Sequence, residues 1–330
     1  MRIVFFTEDR NSAFKCLSKL CSCVFSEMQK GRVIQSTGSW YKVKTESDLI
    51  KSRLPGRFRL EGKEVTNPIA VGDMVDISMN DDGTGSIEFI HERANYITRQ
   101  ATHGRRGEHI LVSNLDRAFV VQSIQKPKMK EGFVDRFLVT CEAYDVEASI
   151  IINKMDLANK KAESYVDDVR ELYESLGYSV FTTNALDYTS LSDLKNEIAG
   201  ITTAFIGPSG VGKTSLLNAI DPNFSEKVGE VSNYSNKGKH TTTFAKLIEI
   251  ENGGFIVDTP GIREFGLFNI EPWELSLYFP EMLDGRKKCK FNTCTHIHEP
   301  GCGVIEAFEE GKIDAGRYNS YINMLESIKN

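Results

Sequence analysis

A glycine-rich loop constrains the fold of this chain more than any other feature. Residues 207–214 read Gly-Pro-Ser-Gly-Val-Gly-Lys-Thr, which fits the phosphate-loop pattern G-x-x-x-x-G-K-[ST]. The apolar run 202–206 before it predicts a short buried strand, and 213–220 after it predicts a helix. Strand, loop and helix in this order indicate an α/β domain. The alternative is a glycine-rich strand-to-helix turn that binds nothing.

The residue types in the loop suit a polyphosphate. Its glycines let backbone N–H groups turn inward, and the next helix presents its positive end to the same charge. Lys213 is expected to reach the β- and γ-phosphates and to act in catalysis, and Thr214 to give its hydroxyl to Mg²⁺. The residues expected around the nucleotide phosphates are Gly207, Pro208, Ser209, Gly210, Val211, Gly212, Lys213, Thr214 and Ser215.

A second motif indicates which base is bound. Residues 153–156 read Asn-Lys-Met-Asp and follow the apolar strand 149–153. The Asp156 carboxylate can accept from the ring N–H and the exocyclic amine of guanine, and adenine lacks this pair of donors. Asn153 and Lys154 belong to the same motif. Alone, such residues also make ordinary turns at strand ends, but together with a phosphate loop they predict a GTP site. Residues 182–185 are a candidate backing for the guanine.

Two later segments complete the predicted site. The strand within 254–258 ends in Asp258-Thr-Pro-Gly261, where Asp258 would hold Mg²⁺ through water and the Gly261 amide would contact the γ-phosphate. Residues 238–243 form a polar loop in which one threonine hydroxyl could reach Mg²⁺ when GTP is bound. Thr242 is favoured for this role, and Thr241 is the alternative.

The order of the motifs is inverted. Ras-type GTPases run phosphate loop, switch I, Asp-x-x-Gly and Asn-Lys-x-Asp, whereas here the last motif comes first, so the sequence is circularly permuted. With residues 134–138 (Val-Asp-Arg-Phe-Leu), 238–242 (Gly-Lys-His-Thr-Thr) and a late Cys/His cluster, the chain resembles the ribosome small-subunit-dependent GTPase A family (RsgA, also called YjeQ). The resemblance implies a cytoplasmic GTPase in late small-subunit maturation, with an N-terminal OB-fold and a C-terminal zinc domain.

The cysteines near the end suggest a metal site. Cys289, Cys294, His296 and Cys302 supply three thiolates and an imidazole, a closed tetrahedral set for one structural Zn²⁺. His298 is an alternative ligand, although the family pattern favours His296. Unliganded thiols or a different metal are the remaining alternatives. Disulfides are not expected in a cytosolic chain.

The predicted organisation is multidomain. We expect a leader of little structure at 1–29, a small OB-type β-barrel at 30–100, a permuted α/β P-loop GTPase domain at 112–268 and a helical zinc-binding domain at 269–330. A packed helix over 11–25 is the competing interpretation of the leader. An SH3-like barrel fits the second segment as well. The predicted barrel strands are 32–35, 40–43, 57–60, 73–78 and 86–91. The predicted strands of the GTPase domain are 117–122, 149–153, 178–182, 202–207, 247–251 and 255–258, and its helices are 133–144, 162–176, 191–198 and 213–220.

The switch regions carry two mechanistic hypotheses. Ile262 stands where many GTPases place a water-orienting glutamine, so intrinsic hydrolysis is predicted to be slow. His240 is the candidate for orienting the water once a partner orders its loop, and a solvated loop histidine is the alternative. Because the chain continues from 261–268 into the last domain, we expect γ-phosphate-dependent ordering there to reposition that domain.

Composition limits the partners. The 330 residues carry a formal net charge of −6, which argues against a protein that coats DNA generally. Local basic groups remain plausible contacts for structured RNA, and solvation is their ordinary role. They are Lys51, Arg53, Arg57, Arg59, Arg99, Arg105, Arg106, Arg286, Lys287, Lys288 and Lys290. No apolar stretch approaches the length of a membrane helix. We therefore expect a cytoplasmic monomer that binds GTP, GDP and rRNA and avoids membranes.

The sequence thus predicts a GTP hydrolase that binds the small ribosomal subunit and assists its late maturation, with hydrolysis coupled to release. Three rivals stay open at this point. One is an RNA-binding regulator that uses GTP as a switch with little hydrolysis. Another is a P-loop kinase or ATPase, which Asp156 opposes. The third is a nucleic-acid-binding module with a degenerate nucleotide site.

Overall fold

The structure is a computed structural model that describes residues 28–56, 68–99, 109–225, 245–258 and 270–329. Several predictions fall outside these ranges. They concern nearly all of the 1–29 leader, the strand 57–60, and the residues His240, Thr241, Thr242, Gly261 and Ile262.

Period-two alternation of buried and exposed side chains builds the first domain. Its strands are β1 (Gln29–Ser36), β2 (Tyr41–Lys44), β3 (Leu49–Arg53), β4 (Met74–Met79) and β5 (Gly85–Ile90). They are hydrogen-bonded in the order β1-β2-β3-β5-β4, and β4 pairs back onto β1. The inward side chains, among them Val33, Val43, Ile77 and Ile87, are fully buried. The predicted OB-type barrel is confirmed.

Strand β3 was not predicted. Its two buried positions are Ile50 and Ser52, so a serine on the inward face hides the apolar alternation. The third predicted barrel strand is 57–60, which lies outside the described residues, whereas the third strand of the described barrel is β3.

A hairpin follows the barrel, which the sequence did not indicate. Strands β6 (Tyr96–Arg99) and β7 (His109–Ser113) pair antiparallel in a two-stranded sheet of their own. Ser113 ties this hairpin to the barrel, because its amide donates to the Val71 carbonyl at 2.9 Å and its hydroxyl to Asp73 at 2.5 Å. The predicted end of the barrel at residue 100 therefore falls between β6 and β7, the strand with which β6 pairs.

Buried apolar runs form the central sheet of the second domain. Its strands are β8 (Arg117–Ser123), β9 (Glu147–Asn153), β10 (Ser179–Thr182), β11 (Thr202–Ile206), β12 (Lys246–Glu249) and β13 (Phe255–Asp258). Their order is β10-β9-β8-β11-β13-β12, and all neighbours are parallel except β12 and β13. Separate apolar clusters cover the two faces, as expected for a parallel sheet. β12 also meets β1 of the barrel at Gln35 and Lys246.

In the described part of this domain, four α-helices accompany the sheet: α1 (Glu131–Ala143), α2 (Lys160–Ser175), α3 (Ser192–Glu197) and α4 (Lys213–Ile220). Each overlaps a predicted helix. α2 begins at an Asn159 cap, whose side chain accepts from the Ala162 amide. Cys141 in α1 is fully buried.

The last domain is short helices around a compact apolar cluster. It contains 3₁₀ turns at Leu275–Tyr278 and Pro280–Met282, then α5 (Leu283–Arg286), α6 (Gly303–Glu309) and α7 (Ala315–Lys329). Leu275, Phe279, Val304 and Tyr321 are fully buried in its core. Within the described ranges, no helix has both the length and the apolar character needed to cross a membrane.

Candidate nucleotide site and metal centre

The glycine-rich loop lies at the carboxyl end of β11, in the middle of the central sheet. At Gly207 the loop passes so close to β8 that a Cβ there would lie 2.1 Å from the Val121 carbonyl oxygen. Gly212 caps α4 with φ of +93°, and a Cβ on it would lie 2.6 Å from the Asn153 amide nitrogen. Both positions therefore require glycine. This packing sets the loop directly against the end of β9.

Asn153 and Lys154 join the base-reading motif to the phosphate loop. The buried Asn153 side chain donates to the Val211 carbonyl at 3.0 Å. The Lys154 ammonium donates to the Gly210 carbonyl at 2.6 Å. Lys154 itself has left-handed backbone, with φ of 63°. The structure thus brings together two motifs that are more than fifty positions apart, as the inverted order requires of one pocket.

The predicted guanine backing also contacts this motif. The Thr183 hydroxyl donates to Asn153 Oδ1 at 3.1 Å, and the Met155 amide donates to the Thr183 carbonyl at 3.2 Å. The Asp156 side chain follows directly and is exposed. Residues 183–185 therefore lie beside the base-reading loop, on the side of β10.

Lys213 lies within the curve of the loop. Its ammonium donates to the carbonyls of Gly207 and Pro208 at 2.6 and 2.8 Å. Thr214 and Ser215 are exposed in the first turn of α4, where helix amides and a hydroxyl can both face an anion. Asp258 ends β13, the neighbour of β11, so its backbone reaches the same edge of the sheet. His240, Thr242 and Gly261 lie outside the described residues.

The four predicted metal ligands meet in the last domain. The ligand atoms of Cys289, Cys294, His296 and Cys302 all lie within 4.8 Å of one another. His296 Nδ1 is 3.2 Å from Cys302 Sγ and 3.5 Å from Cys289 Sγ, and those two sulfurs are 3.8 Å apart. Tetrahedral zinc with Zn–S bonds of about 2.3 Å needs sulfurs roughly 3.8 Å apart. The donor set therefore fits Zn²⁺. The alternative ligand His298 is exposed and outside the cluster.

Neighbouring groups orient the histidine. His296 Nε2 lies 2.9 Å from the Ser276 hydroxyl, which in turn accepts from Arg286 at 2.5 Å. This leaves Nδ1 facing the thiols. Burial, and then the charge of Arg286, lower the pKa of His296 to about 4. The imidazole is neutral at physiological pH and can therefore bind a metal.

Burial also acts on the thiols. It raises the pKa of Cys294 to about 12 and that of Cys302 above its ordinary value. Without metal, the thiols of Cys294 and Cys302 are protonated, so metal uptake releases protons. Tyr318 and Tyr321 in α7 donate to the carbonyls of His296 and Thr295 at 2.7 and 2.8 Å. The last helix thereby packs over the cluster.

A buried ionic network between two domains was not predicted. Arg317 in α7 is 1% exposed and donates to Asp135 of α1 at 2.7 Å and to Glu281 at 2.7 Å. Tyr173 of α2 donates to the same Asp135 oxygen at 2.7 Å. Burial disfavours the charged guanidinium, but the two carboxylates outweigh it and raise the pKa of Arg317. The sequence offered one hint of this network, because Asp135 lies within residues 134–138, one of the segments on which the family resemblance rests.

Comparison with known proteins agrees with this geometry. The family model described as RsgA GTPase matches residues 90–268, and the RsgA N-terminal domain model matches 30–87. The small ribosomal subunit biogenesis GTPase RsgA 2 of Bacteroides thetaiotaomicron is 45% identical over 298 residues, covering 90% of this chain and 96% of that protein.

Two solved structures have the same architecture. YjeQ from Thermotoga maritima superimposes with a TM-score of 0.76 at 33% identity, covering 92% of this chain and 99% of that one. YloQ, described as a circularly permuted GTPase, gives a TM-score of 0.73 at 33% identity and covers 92% and 96% of the two chains.

Proposed function

Since this chain belongs to the RsgA GTPase family, we propose that it hydrolyses GTP while bound to the small ribosomal subunit and assists the late maturation of that subunit. Its relative in Bacteroides thetaiotaomicron is named for small-subunit biogenesis. The proposed setting is the cytoplasm, and the proposed partner is rRNA of the subunit.

One observation carries the nucleotide part of the proposal. Asn153 and Lys154 hydrogen-bond to the phosphate-loop carbonyls of Val211 and Gly210, so a base reader and a phosphate cradle share one edge of the sheet. In open α/β sheets ligands bind at this carboxyl edge. Asp156 follows on the same loop, where its exposed carboxylate is available to the two donors of guanine. The pairing supports GTP over ATP and opposes a P-loop kinase.

Each proposed site residue has a role in hydrolysis. Lys213 is proposed to balance the negative charge of the β- and γ-phosphates. When GTP binds, its ammonium would leave the carbonyls of Gly207 and Pro208 and donate to phosphate oxygens instead. Thr214, Thr242 and Asp258 are proposed to hold the Mg²⁺ that accompanies GTP. When bound, this ion would neutralise the negative charge that develops on the phosphates during hydrolysis. His240 is proposed to orient the attacking water, and the Gly261 amide to contact the γ-phosphate. Attack of water on the γ-phosphorus gives GDP and phosphate.

The Cys/His cluster is proposed to hold one structural Zn²⁺ through Cys289, Cys294, His296 and Cys302. All four protein positions of a tetrahedral ion are filled, which leaves no position for a catalytic water. The ion would fix the loop that joins α5 to α6. The basic residues beside it, Arg286 to Lys290, are then held in place for contact with rRNA.

Stimulation by the partner tests the function. We expect slow release of phosphate from GTP by the purified protein and a rise of at least about tenfold when purified small subunits are added, since Ile262 cannot orient the attacking water as a glutamine would. Large subunits at the same concentration are the matched control. No stimulation, or equal stimulation by large subunits, would contradict the proposed function.

A further inference from the structure

A cavity lies beside the proposed nucleotide site and has no role in the function described above. It has a volume of about 500 Å³, which is within the usual range of about 300–1,000 Å³ for small-molecule sites. It lies between the segment that follows β8 and the start of α2. Its lining residues are Ile124, Gln125, Lys126, Lys128, Asn159, Lys161, Ala162 and Tyr165. None of Asn153, Lys154 and Asp156 lines it, so it is distinct from the proposed guanine pocket.

The cavity combines apolar walls with a cationic rim. Ile124, Ala162 and the ring of Tyr165 supply apolar surface, and the Tyr165 hydroxyl is turned to Glu131. Lys126, Lys128 and Lys161 are exposed, and within the described ranges none of them forms an ion pair. Three exposed lysines therefore stand at the rim of this cavity, although the chain has a net charge of −6. A ligand that complements this lining is anionic outside and flat and apolar inside.

These properties match one nucleotide of single-stranded RNA. Proteins recognise unstacked RNA bases by stacking them on aromatic rings, while cationic side chains follow the phosphates. We propose that this cavity receives a single looped-out RNA nucleotide, with its base against Tyr165 and its flanking phosphates on Lys126, Lys128 and Lys161. The proposal rests on the proposed function in one respect, because it names how the GTPase domain itself contacts the RNA partner.

The cavity is connected to the phosphate loop. The Lys154 ammonium donates both to the Lys126 carbonyl at 2.6 Å and to the Gly210 carbonyl at 2.6 Å. The Pro127 ring lies 3.7 Å from the position of a Cβ on Gly210. An RNA nucleotide that shifts residues 124–128 would therefore act on the phosphate loop through the Lys154 side chain. This route would allow RNA contact to alter GTP turnover.

The test uses the full chain and fluorescent oligouridine over a range of KCl concentrations. Each phosphate contact with single-stranded nucleic acid contributes roughly 0.7 to the slope of log affinity against log salt. The triple variant K126A/K128A/K161A is expected to lose about 2 from that slope. Ala162→Met, which fills the cavity without changing charge, should weaken binding by about fivefold or more at constant slope, since one stacked base is lost. K160A removes a neighbouring lysine that does not line the cavity and should behave like wild type.

A second measurement locates the RNA directly. Photocrosslinking with oligouridine that contains 4-thiouridine should label the peptide that contains Tyr165, and A162M should reduce this labelling. Labelling confined to the barrel or the last domain, or an unchanged salt slope in the triple variant, would overturn the proposal. So would a triple variant that binds oligouridine normally but no longer binds the small subunit, because the cavity would then contact a protein. GTP binding by every variant should equal wild type, which separates this test from a failure of the proposed function.

Discussion

At the residue scale, Asn153 is the contact between two motifs that the permuted chain places far apart. It is 1% exposed, donates to Val211 and accepts from Thr183. We therefore expect Asn153 to position the phosphate loop, whereas Asp156 is the residue proposed to read the base. A buried amide whose donor and acceptor are both hydrogen-bonded holds the phosphate loop and the base-reading loop in a fixed relative position.

Asn153→Ala should weaken GDP binding by about tenfold or more and reduce the free energy of unfolding by about 1–3 kcal/mol, because the Val211 carbonyl loses its buried donor. Fluorescent GDP titration and urea denaturation measure the two effects. Thr183→Val is the matched control, since it removes only the hydroxyl bonded to Asn153 Oδ1 and leaves the Val211 contact. Equal losses in the two variants would contradict a positioning role for Asn153.

Cys294→Ser should lower bound zinc from about one ion per chain to near zero and lower the melting temperature, because one of four ligands is lost. Cys141→Ser is the control, since Cys141 is buried in α1 far from the cluster in sequence and should retain zinc. Burial raises the pKa of Cys294 and of Cys302, so zinc uptake releases protons and its apparent affinity should rise with pH. Metal analysis and titrations at several pH values test this. Full zinc content in Cys294→Ser would refute the ligand assignment.

At the element scale, the sequence predicted the strands whose buried positions form mainly apolar runs. Strands β8, β9, β11 and β13 are such runs, although Gln122, Ser149 and Thr203 are also buried in them. The loops at their ends were predicted from motif chemistry. Strand β3 was missed because one of its two buried positions is Ser52, which leaves no apolar run, and the β6–β7 hairpin because its register depends on contacts with the barrel. Local pattern carries no information on such pairings.

The contact of α7 with α1 shows the same limit. Arg317 and Asp135 are 182 positions apart, and neither is unusual in its local sequence. Only the packed structure buries both charges together with Glu281 and Tyr173. A charged residue in a helix-compatible tail predicts an exposed position, and here tertiary structure overrides that expectation.

Arg317→Met should reduce the free energy of unfolding by about 3–5 kcal/mol, because Asp135 and Glu281 would remain buried without their partner. Arg136→Met is the control. It is on the same helix interface but makes one hydrogen bond, to the Ser327 hydroxyl at 3.2 Å, so its loss should stay below about 1.5 kcal/mol. Urea denaturation measures both. Similar small losses in the two variants would show that the network does not hold the domains together.

At the scale of the whole molecule, the chain through 259–269, which lies outside the described residues, joins the last domain to the GTPase domain. The described residues also join them by packing on α1. This contact includes the Arg317 network, the hydrogen bond from Arg136 to Ser327, and Val139 in the apolar cluster of the last domain. Nucleotide-dependent movement of the last domain must therefore carry α1 with it or break a buried ion pair.

We expect affinity for the small subunit to be higher with a non-hydrolysable GTP analogue than with GDP, by about fivefold or more, a usual coupling between two sites. Sedimentation with small subunits in the two nucleotide states measures this. Equal affinities in the two states would contradict the proposed coupling of GTP hydrolysis to release from the subunit. The alternative function, an RNA-binding regulator that hydrolyses little GTP, would then be the better explanation.

The central claim is that segments in inverted order form one pocket that selects guanine and senses the terminal phosphate. Competition of GTP and of ATP against fluorescent GDP on the purified wild-type chain tests it most directly. Because adenine lacks the ring N–H and exocyclic amine pair that Asp156 would accept from in guanine, GTP should compete at least about a hundredfold better than ATP. Equal competition by ATP would contradict the account.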